Sequence, residues 1–429
     1  MLETLLTLFV FFLPFQFALR PDVEIDLAAA RVLAIGIFLL WVITGLITKR
    51  FTLPRPLTLF FFATFIFWVA LSLFWAENMT WAWRKLFFLL SFLPLFLVFT
   101  DVLRDSRLRM KIFSAWVSGA FLAALLALLQ FFAQWWLGVE KVFAFWTQKI
   151  LPIFLGPVFS QMVADYPSLL VNISGRTVMR ASGLFPDPHI AALFFGMSLP
   201  LAFFLVWQNT GARQKYWGVC AAIIFMADIF TFSRGGYLGL VFGAGVFLWP
   251  LFLSDARWKK QIIKIGLVGI VVIIILASPA GTRLFSSFSS NDASKIERLR
   301  LWQEAVGLIT LRPIGGAGLG NYPLVVKPSA DYREPFYAHN LFLDITLETG
   351  LAGLFFFVAF LFSGILSVWR NWRRSRDFLA LAILSSLIVF STHSFFETPL
   401  FSVHILPMFL LLMAASVSLK DRSEINSTL

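Results

Sequence analysis

Cysteine is almost missing from this chain. Cys220 stands alone, so an internal disulfide framework is excluded. Charge is scarce as well: Asp, Glu, Lys and Arg make up 14% of the residues, against about 25% in a soluble domain. There are only 4 histidines, His189, His339, His393 and His404, and with so little cysteine no zinc-type cluster can be drawn. No serine nucleophile motif and no internal repeat stands out. The start, Met1-Leu2-Glu3-Thr4, has no basic stretch before its apolar run, and no small-residue cleavage site follows. The first run is therefore expected to be a retained helix and not a cleaved signal peptide.

What the chain has in quantity is apolar sequence. Of its 429 residues 59% are hydrophobic and 17% aromatic, far above the roughly 45–50% apolar content of soluble domains. Apolar runs recur at about the 17–25 residues that cross a bilayer core as a helix. This predicts an all-α integral membrane protein, one polytopic domain over residues 1–429. About twelve spans are expected, near 3–19, 27–48, 57–75, 86–103, 112–137, 190–208, 216–233, 235–253, 261–279, 340–368, 377–395 and 400–419. The formal charge of +12 could suggest nucleic acid, but Lys and Arg sit mostly in short loops between runs. Lys49, Arg50, Arg55, Arg104, Arg107, Arg109, Lys111, Arg213, Lys215, Arg257, Lys259, Lys260, Arg370, Arg373, Arg374, Arg376, Lys420 and Arg422 fall on one side of this topology. Only Arg20, Arg84, Lys85 and Arg234 lie in the short loops on the other. The positive-inside rule then predicts cytoplasmic N- and C-termini.

Two long excursions are left on the outer side, 138–189 and 280–339, expected to form a cap. The first carries Trp146, Ile150, Ile153, Phe154 and Phe159, which suits a segment in the headgroup zone. In the second, Ser294 and Glu297 form a capping-box pattern. Ile296, Leu299, Trp302, Val306 and Ile309 then recur at helical spacing until Pro313, predicting one amphipathic outer helix.

Ionisable groups at membrane depth are costly, about 2.5–3.5 kcal/mol each on insertion scales, and so mark candidate sites. Arg234, in the tight turn Ser233-Arg234-Gly235-Gly236, and Arg180, ahead of Ser182-Gly183-Leu184-Phe185-Pro186-Asp187-Pro188-His189, fall at one depth on the outer side. Two guanidinium forks there suit an anion such as a phosphate. A snorkelling interfacial arginine is the competing reading for Arg234, and Asp228 is a competing ion-pair partner. All four histidines fall near the outer boundary. His339 is singled out because it joins the long polar excursion to a helix beginning Asn340-Leu341, and imidazole can move a proton near neutral pH. The glycines from Gly315 to Gly320 lack the strand and helix that a phosphate-binding loop needs, so they are read as tight turns that allow close backbone approach. Asp22, Glu24 and Asp26 alternate in the first outer loop. They are read as solvated, with a divalent-cation site as the alternative.

Four segments carry a family resemblance. Arg298-Leu299-Arg300-Leu301-Trp302-Gln303-Glu304-Ala305, Arg312-Pro313-Ile314-Gly315-Gly316-Ala317-Gly318-Leu319-Gly320-Asn321-Tyr322, His339-Asn340-Leu341-Phe342-Leu343 and Glu348-Thr349-Gly350-Leu351-Ala352-Gly353 resemble the signature of the O-antigen ligase and O-antigen polymerase superfamily. The resemblance implies a membrane glycosyltransferase of the GT-C type that acts without metal or cofactor at the outer, periplasmic face of the bacterial inner membrane. It implies an undecaprenyl diphosphate-linked glycan as donor, and as acceptor either lipid A core oligosaccharide or another lipid-linked glycan. Position by position, Arg180 and Arg234 resemble the family's diphosphate-binding arginines and His339 its essential histidine. Arg298, Arg300, Trp302, Tyr322, Asn340 and His189 are expected to support them. Pro188-His189 after Asp187 departs from the family pattern, where an asparagine is expected. O-antigen ligase is the preferred reading and polymerase the alternative, with transfer to protein left open. A flippase or transporter of lipid-linked sugars is the rival from another class, kept alive by Asp228, Asp344 and Glu348.

Overall fold

The computed structural model describes residues 1–22, 25–49, 51, 53, 56–165, 168–173, 175–254, 293–327, 329 and 337–419. The described chain is mostly helical. In order it forms α1 (Leu2–Phe12), a hairpin of β1 (Ala18–Asp22) and β2 (Ile25–Ala28), α2 (Ala29–Thr48) and α3 (Pro56–Leu71). There follow α4 (Met79–Phe92), α5 (Leu95–Val102) and the long α6 (Ser106–Leu137). Next come short α7 (Val139–Phe145), α8 (Leu151–Leu155) and α9 (Pro157–Asp165), then a hairpin of β3 (Leu170–Ile173) and β4 (Arg176–Met179). The second half holds α10 (Pro188–Gln208), α11 (Gly211–Phe230), α12 (Arg234–Ser254), α13 (Ala293–Leu311), α14 (Tyr322–Val326), α15 (Leu341–Ser375), α16 (Phe378–His393) and α17 (Leu406–Ser418).

Six helices among the described residues are long and apolar enough to cross a membrane. The chain is a multi-pass membrane protein. A described helix falls in every expected span except the ninth, 261–279, which lies outside the described residues. The tenth helix range ends later than expected, at Ser375, because Arg370, Arg373 and Arg374 continue the helix and Arg376 closes it in a left-handed conformation at φ 54°. Polar residues start the helices. Asn78, Asp105, Asp187, Asn340 and Asp377 each accept backbone N–H groups of the first turn, which would otherwise go unpaired.

α10 is the hub. It is apolar all round and buried on nearly every face, as a helix surrounded by helices must be, and it packs on α6, α11, α12 and α16. α15 leans on α3, α13, α16 and α17, and it is broken at Gly350, whose φ of 70° and ψ of −178° no helix contains. The break is filled by the glycine turn. Ala317 N donates to Leu347 O at 2.7 Å, Gly318 N to Glu348 O at 2.9 Å, and Trp68 Nε1 to Thr349 O at 2.7 Å. A Cβ on Gly350 would overlap Ile314 O, and one on Gly316 would overlap the α15 backbone. The glycines thus allow close approach to a neighbouring backbone.

The mostly helical chain agrees with the all-α expectation, and two short antiparallel strand pairs, β1 with β2 and β3 with β4, are added to it. Asp22 ends β1, Asp26 lies in β2, and Glu24 lies outside the described residues; Asp26 Oδ2 accepts from Phe159 N at 2.9 Å, serving the start of α9. One expectation needs correction: the amphipathic stripe of the outer helix is split. Trp302, Ala305 and Ile309 pack inward with Tyr322, Ala338 and Leu347, whereas Ile296, Leu299 and Val306 are exposed. The side chains of Ser294 and Glu297 lie outside the described residues.

Candidate functional site

Polar groups gather where the N-termini of α10, α12 and α15 meet the C-termini of α11 and α16. On one side is the loop 179–187. Two buried glutamines of α6 hold it: Gln134 exchanges bonds of 2.8 and 2.9 Å with the backbone of Met179. Gln130 Oε1 accepts from Gly183 N at 2.7 Å while its Nε2 donates to Arg180 O at 3.1 Å. Arg180 is itself buried, with Nε donating to Thr231 O at 2.6 Å and a terminal nitrogen to Ser168 O at 3.0 Å. The same nitrogen faces His189 Nε2 at 3.5 Å, and His189 Nδ1 lies 2.9 Å from Ser233 Oγ. A guanidinium can only donate, so Nε2 is the acceptor and Nδ1 carries the proton toward Ser233. Asp187 caps α10, and its carboxyl is pushed up to about 6, first by burial and then by the negative charge of Glu397.

Facing this loop is His339. Its Nδ1 lies 3.4 Å from Glu397 Oε1, a long contact, and its side chain is 39% exposed against 10% for the carboxylate. Burial disfavours the imidazolium, but the Glu397 carboxylate outweighs it and holds His339 above its ordinary value. Glu397 is held well below the usual carboxylate range: burial opposes ionisation, and His339, His189 and the Thr398 amide outweigh it. With Nδ1 turned to Glu397, Nε2 is the nitrogen able to take a proton. His339 has φ 48°. The other described non-glycine residues with positive φ, Lys49, Phe232 and Arg376, close helix C-termini, whereas His339 precedes a helix. Such strain persists only where surroundings enforce it. Here Trp302 Nε1 donates to Ala338 O at 2.9 Å, and Leu341 N donates to Ser394 O at 2.8 Å and Glu397 O at 3.2 Å.

The two halves share one electrostatic neighbourhood. The charge of Glu397 is felt at Asp187, His189, His339 and His393, and that of Arg298 at His189, His339 and His393. Arg234 opens α12 half-buried, between Ser233, which touches His189, and Gly235, whose Cβ would lie 3.0 Å from the His393 ring. Both Asp228 oxygens are buried without a hydrogen bond, so the competing Asp228–Arg234 ion pair does not form.

The remaining expected residues divide. Arg298 faces the cluster half-buried, while Arg300 is exposed. Trp302 supports the peptide before His339, and Asn340 caps α15 through Phe342 N and Leu343 N at 3.1 and 3.2 Å. Tyr322 is buried in the apolar contacts under α13. His393 and His404 are both buried at this end, His404 against Phe185 with ring centres 4.9 Å apart. Glu348 is paired with Lys85 at 2.6 Å, and the lysine lies over the Phe401 ring at 3.6 Å. Sequence reasoning passed over Glu397 altogether. Its signal was a lone acid in Phe395-Phe396-Glu397-Thr398-Pro399, between two apolar runs.

A helical, multi-pass membrane protein with arginines, histidines and a carboxylate drawn together at one end is what fold and site define. Residues 219–358 match the family described as O-antigen ligase, which takes in Arg234, Arg298 and His339 and leaves Arg180 and Glu397 outside. That match bears out the resemblance read from the sequence, whose four segments all lie within 219–358. Three curated proteins named "Putative polysaccharide ligase" are similar to it. The one from Rickettsia felis is 23% identical over 169 residues, covering 37% of this chain and 41% of that protein. Those from Rickettsia conorii and Rickettsia prowazekii are 22% and 24% identical, covering 37% and 30% of this chain and 40% and 34% of theirs. The chain thus spans about two-fifths of the length of the first of these relatives.

Proposed function

We propose that this protein is a membrane glycosyltransferase that moves a glycan from undecaprenyl diphosphate to lipid A core oligosaccharide, as an O-antigen ligase. In this reading the chain has twelve spans with both termini cytoplasmic in the bacterial inner membrane, and the polar end faces the periplasm. Its cap is formed by 138–189 and 280–339. The observation that carries the reading is the His339–Glu397 pair set opposite the Arg180 loop in one electrostatic neighbourhood with Arg298. His339 Nε2 takes the proton of the acceptor hydroxyl while its oxygen attacks the anomeric carbon. The bond from that carbon to the diphosphate oxygen breaks, and the undecaprenyl diphosphate leaves with the electron pair and inversion of the centre. Arg180 and Arg234, with Arg298 nearby, stabilise the charge that develops on the leaving group, so fixed guanidinium groups supply what a metal would otherwise provide.

A transporter reading would use polar groups along the membrane interior. Two of the three carboxylates that favoured it are engaged in local contacts, Glu348 with Lys85 and Asp344 with Ala338 N and Thr398. Transfer by purified protein in detergent, with lipid-linked donor and acceptor, tests the reading. His339→Ala and Arg234→Ala are expected to lose transfer by about 10³-fold or more while remaining folded. Activity retained in both would overturn the assignment. In a deletion strain, glycan left on the lipid carrier and absent from the core marks a ligase; single repeat units on the core mark a polymerase.

A further inference from the structure

Asp344 is buried one helical turn into α15, does not contact the reacting atoms in the scheme above, and makes two contacts that end on different loops. Its Oδ1 accepts from Ala338 N at 2.9 Å, and its Oδ2 accepts from Thr398 Oγ1. Ala338 precedes His339, and Thr398 follows Glu397. Thr398 N also donates at 3.1 Å to Glu397 Oε1, the same oxygen that faces His339 Nδ1. The contacts therefore close a ring from His339 through Ala338, Asp344, Thr398 and Glu397 back to His339.

We propose that Asp344 is a positioning residue, whose carboxylate clamps the loops carrying His339 and Glu397 into one geometry. The clamp is anchored in the helix, since Asp344 N donates to Asn340 O at 2.9 Å in the first turn of α15. It answers a specific need. His339 sits in a left-handed conformation that is uncommon outside glycine, and Glu397 is 58 residues away on another connection. One rigid group with two acceptors can hold both loops at once, whereas separate bonds would let each loop move alone. Trp302 grips the oxygen of the same Ala338 peptide whose N–H Asp344 grips, so the peptide before His339 is held from both sides.

This inference rests on His339 acting as the base, and the test separates the two ideas. Initial rates per folded molecule are measured on the full chain in detergent with lipid-linked donor, folded protein being counted by size-exclusion chromatography and thermal shift. Asp344→Leu is expected to lower kcat on the order of 10²-fold with donor KM nearly unchanged, as misplacement of a base does. Asp344→Asn keeps an acceptor for Ala338 N–H and is expected to recover kcat to within about fivefold of wild type. Thr398→Val is expected to lower kcat about tenfold, and joining it to Asp344→Leu adds little, because both cut the same ring. An unchanged kcat per folded molecule in Asp344→Leu overturns the clamp; if that variant does not fold, an unchanged kcat in Thr398→Val does so. His339→Ala is run alongside. An inactive His339→Ala with a fully active Asp344→Leu removes only the clamp, and an active His339→Ala removes the reading beneath it as well.

Discussion

The two halves of the site are built differently. Arg180 is buried, and its guanidinium donates to two main-chain carbonyls on separate segments, while glutamines of α6 satisfy the backbone around it. His339 is partly exposed, meets its carboxylate at 3.4 Å, and stands on strained backbone. One half is enclosed inside the helix bundle. The other is an open edge where a loop, a helix start and a short turn meet, held in place through Asp344. An enclosed half suits a group that is the same in every turnover, such as a diphosphate. The open edge suits an acceptor hydroxyl that must enter and leave.

The sharpest way to break this comparison is Arg180→Lys. Lysine keeps the charge but cannot reproduce the fork that spans Thr231 O and Ser168 O, so kcat/KM in the transfer assay is expected to fall by about 10²–10³-fold. A loss below fivefold would mean that charge alone serves there. Glu397→Gln acts on the open half and is expected to cost about 10–10²-fold in kcat. It also moves the pH profile in a defined direction. A base works when neutral, and Glu397 holds His339 above its ordinary 6.5, so wild-type activity is expected to rise with pH through a value above about 6.5. Removing the carboxylate lowers the His339 value, so the acidic limb shifts to lower pH. Arg298, which opposes the imidazolium, and Asp344, which favours it, are unchanged in that variant. An acidic limb that stays in place would detach Glu397 from His339.

Helices were legible in this sequence because bilayer-length apolar runs announce themselves one run at a time. Arg180, Arg234 and His339 stood out because charge and imidazole are conspicuous in such a chain, and the roles given to them above are proposals that the family resemblance suggests. What stayed hidden depended on distant partners. Nothing near Glu397 in the sequence points to a histidine 58 residues earlier. The Gly350 break makes sense only once Pro313, Ala317 and Gly318 are seen to take up its open backbone groups. Asp344 read as one of the carboxylates favouring a transporter until Ala338 and Thr398 were brought to it. His189 was expected only among the supporting residues, and the structure sets it between Arg180 and Ser233 from the next connection.

The division of labour between the halves is tested most directly by equilibrium binding of undecaprenyl diphosphate to purified wild type, Arg180→Lys and His339→Ala. The expected result is wild-type affinity in His339→Ala and a loss of about tenfold or more in Arg180→Lys. Weakened binding in His339→Ala together with wild-type affinity in Arg180→Lys would contradict it.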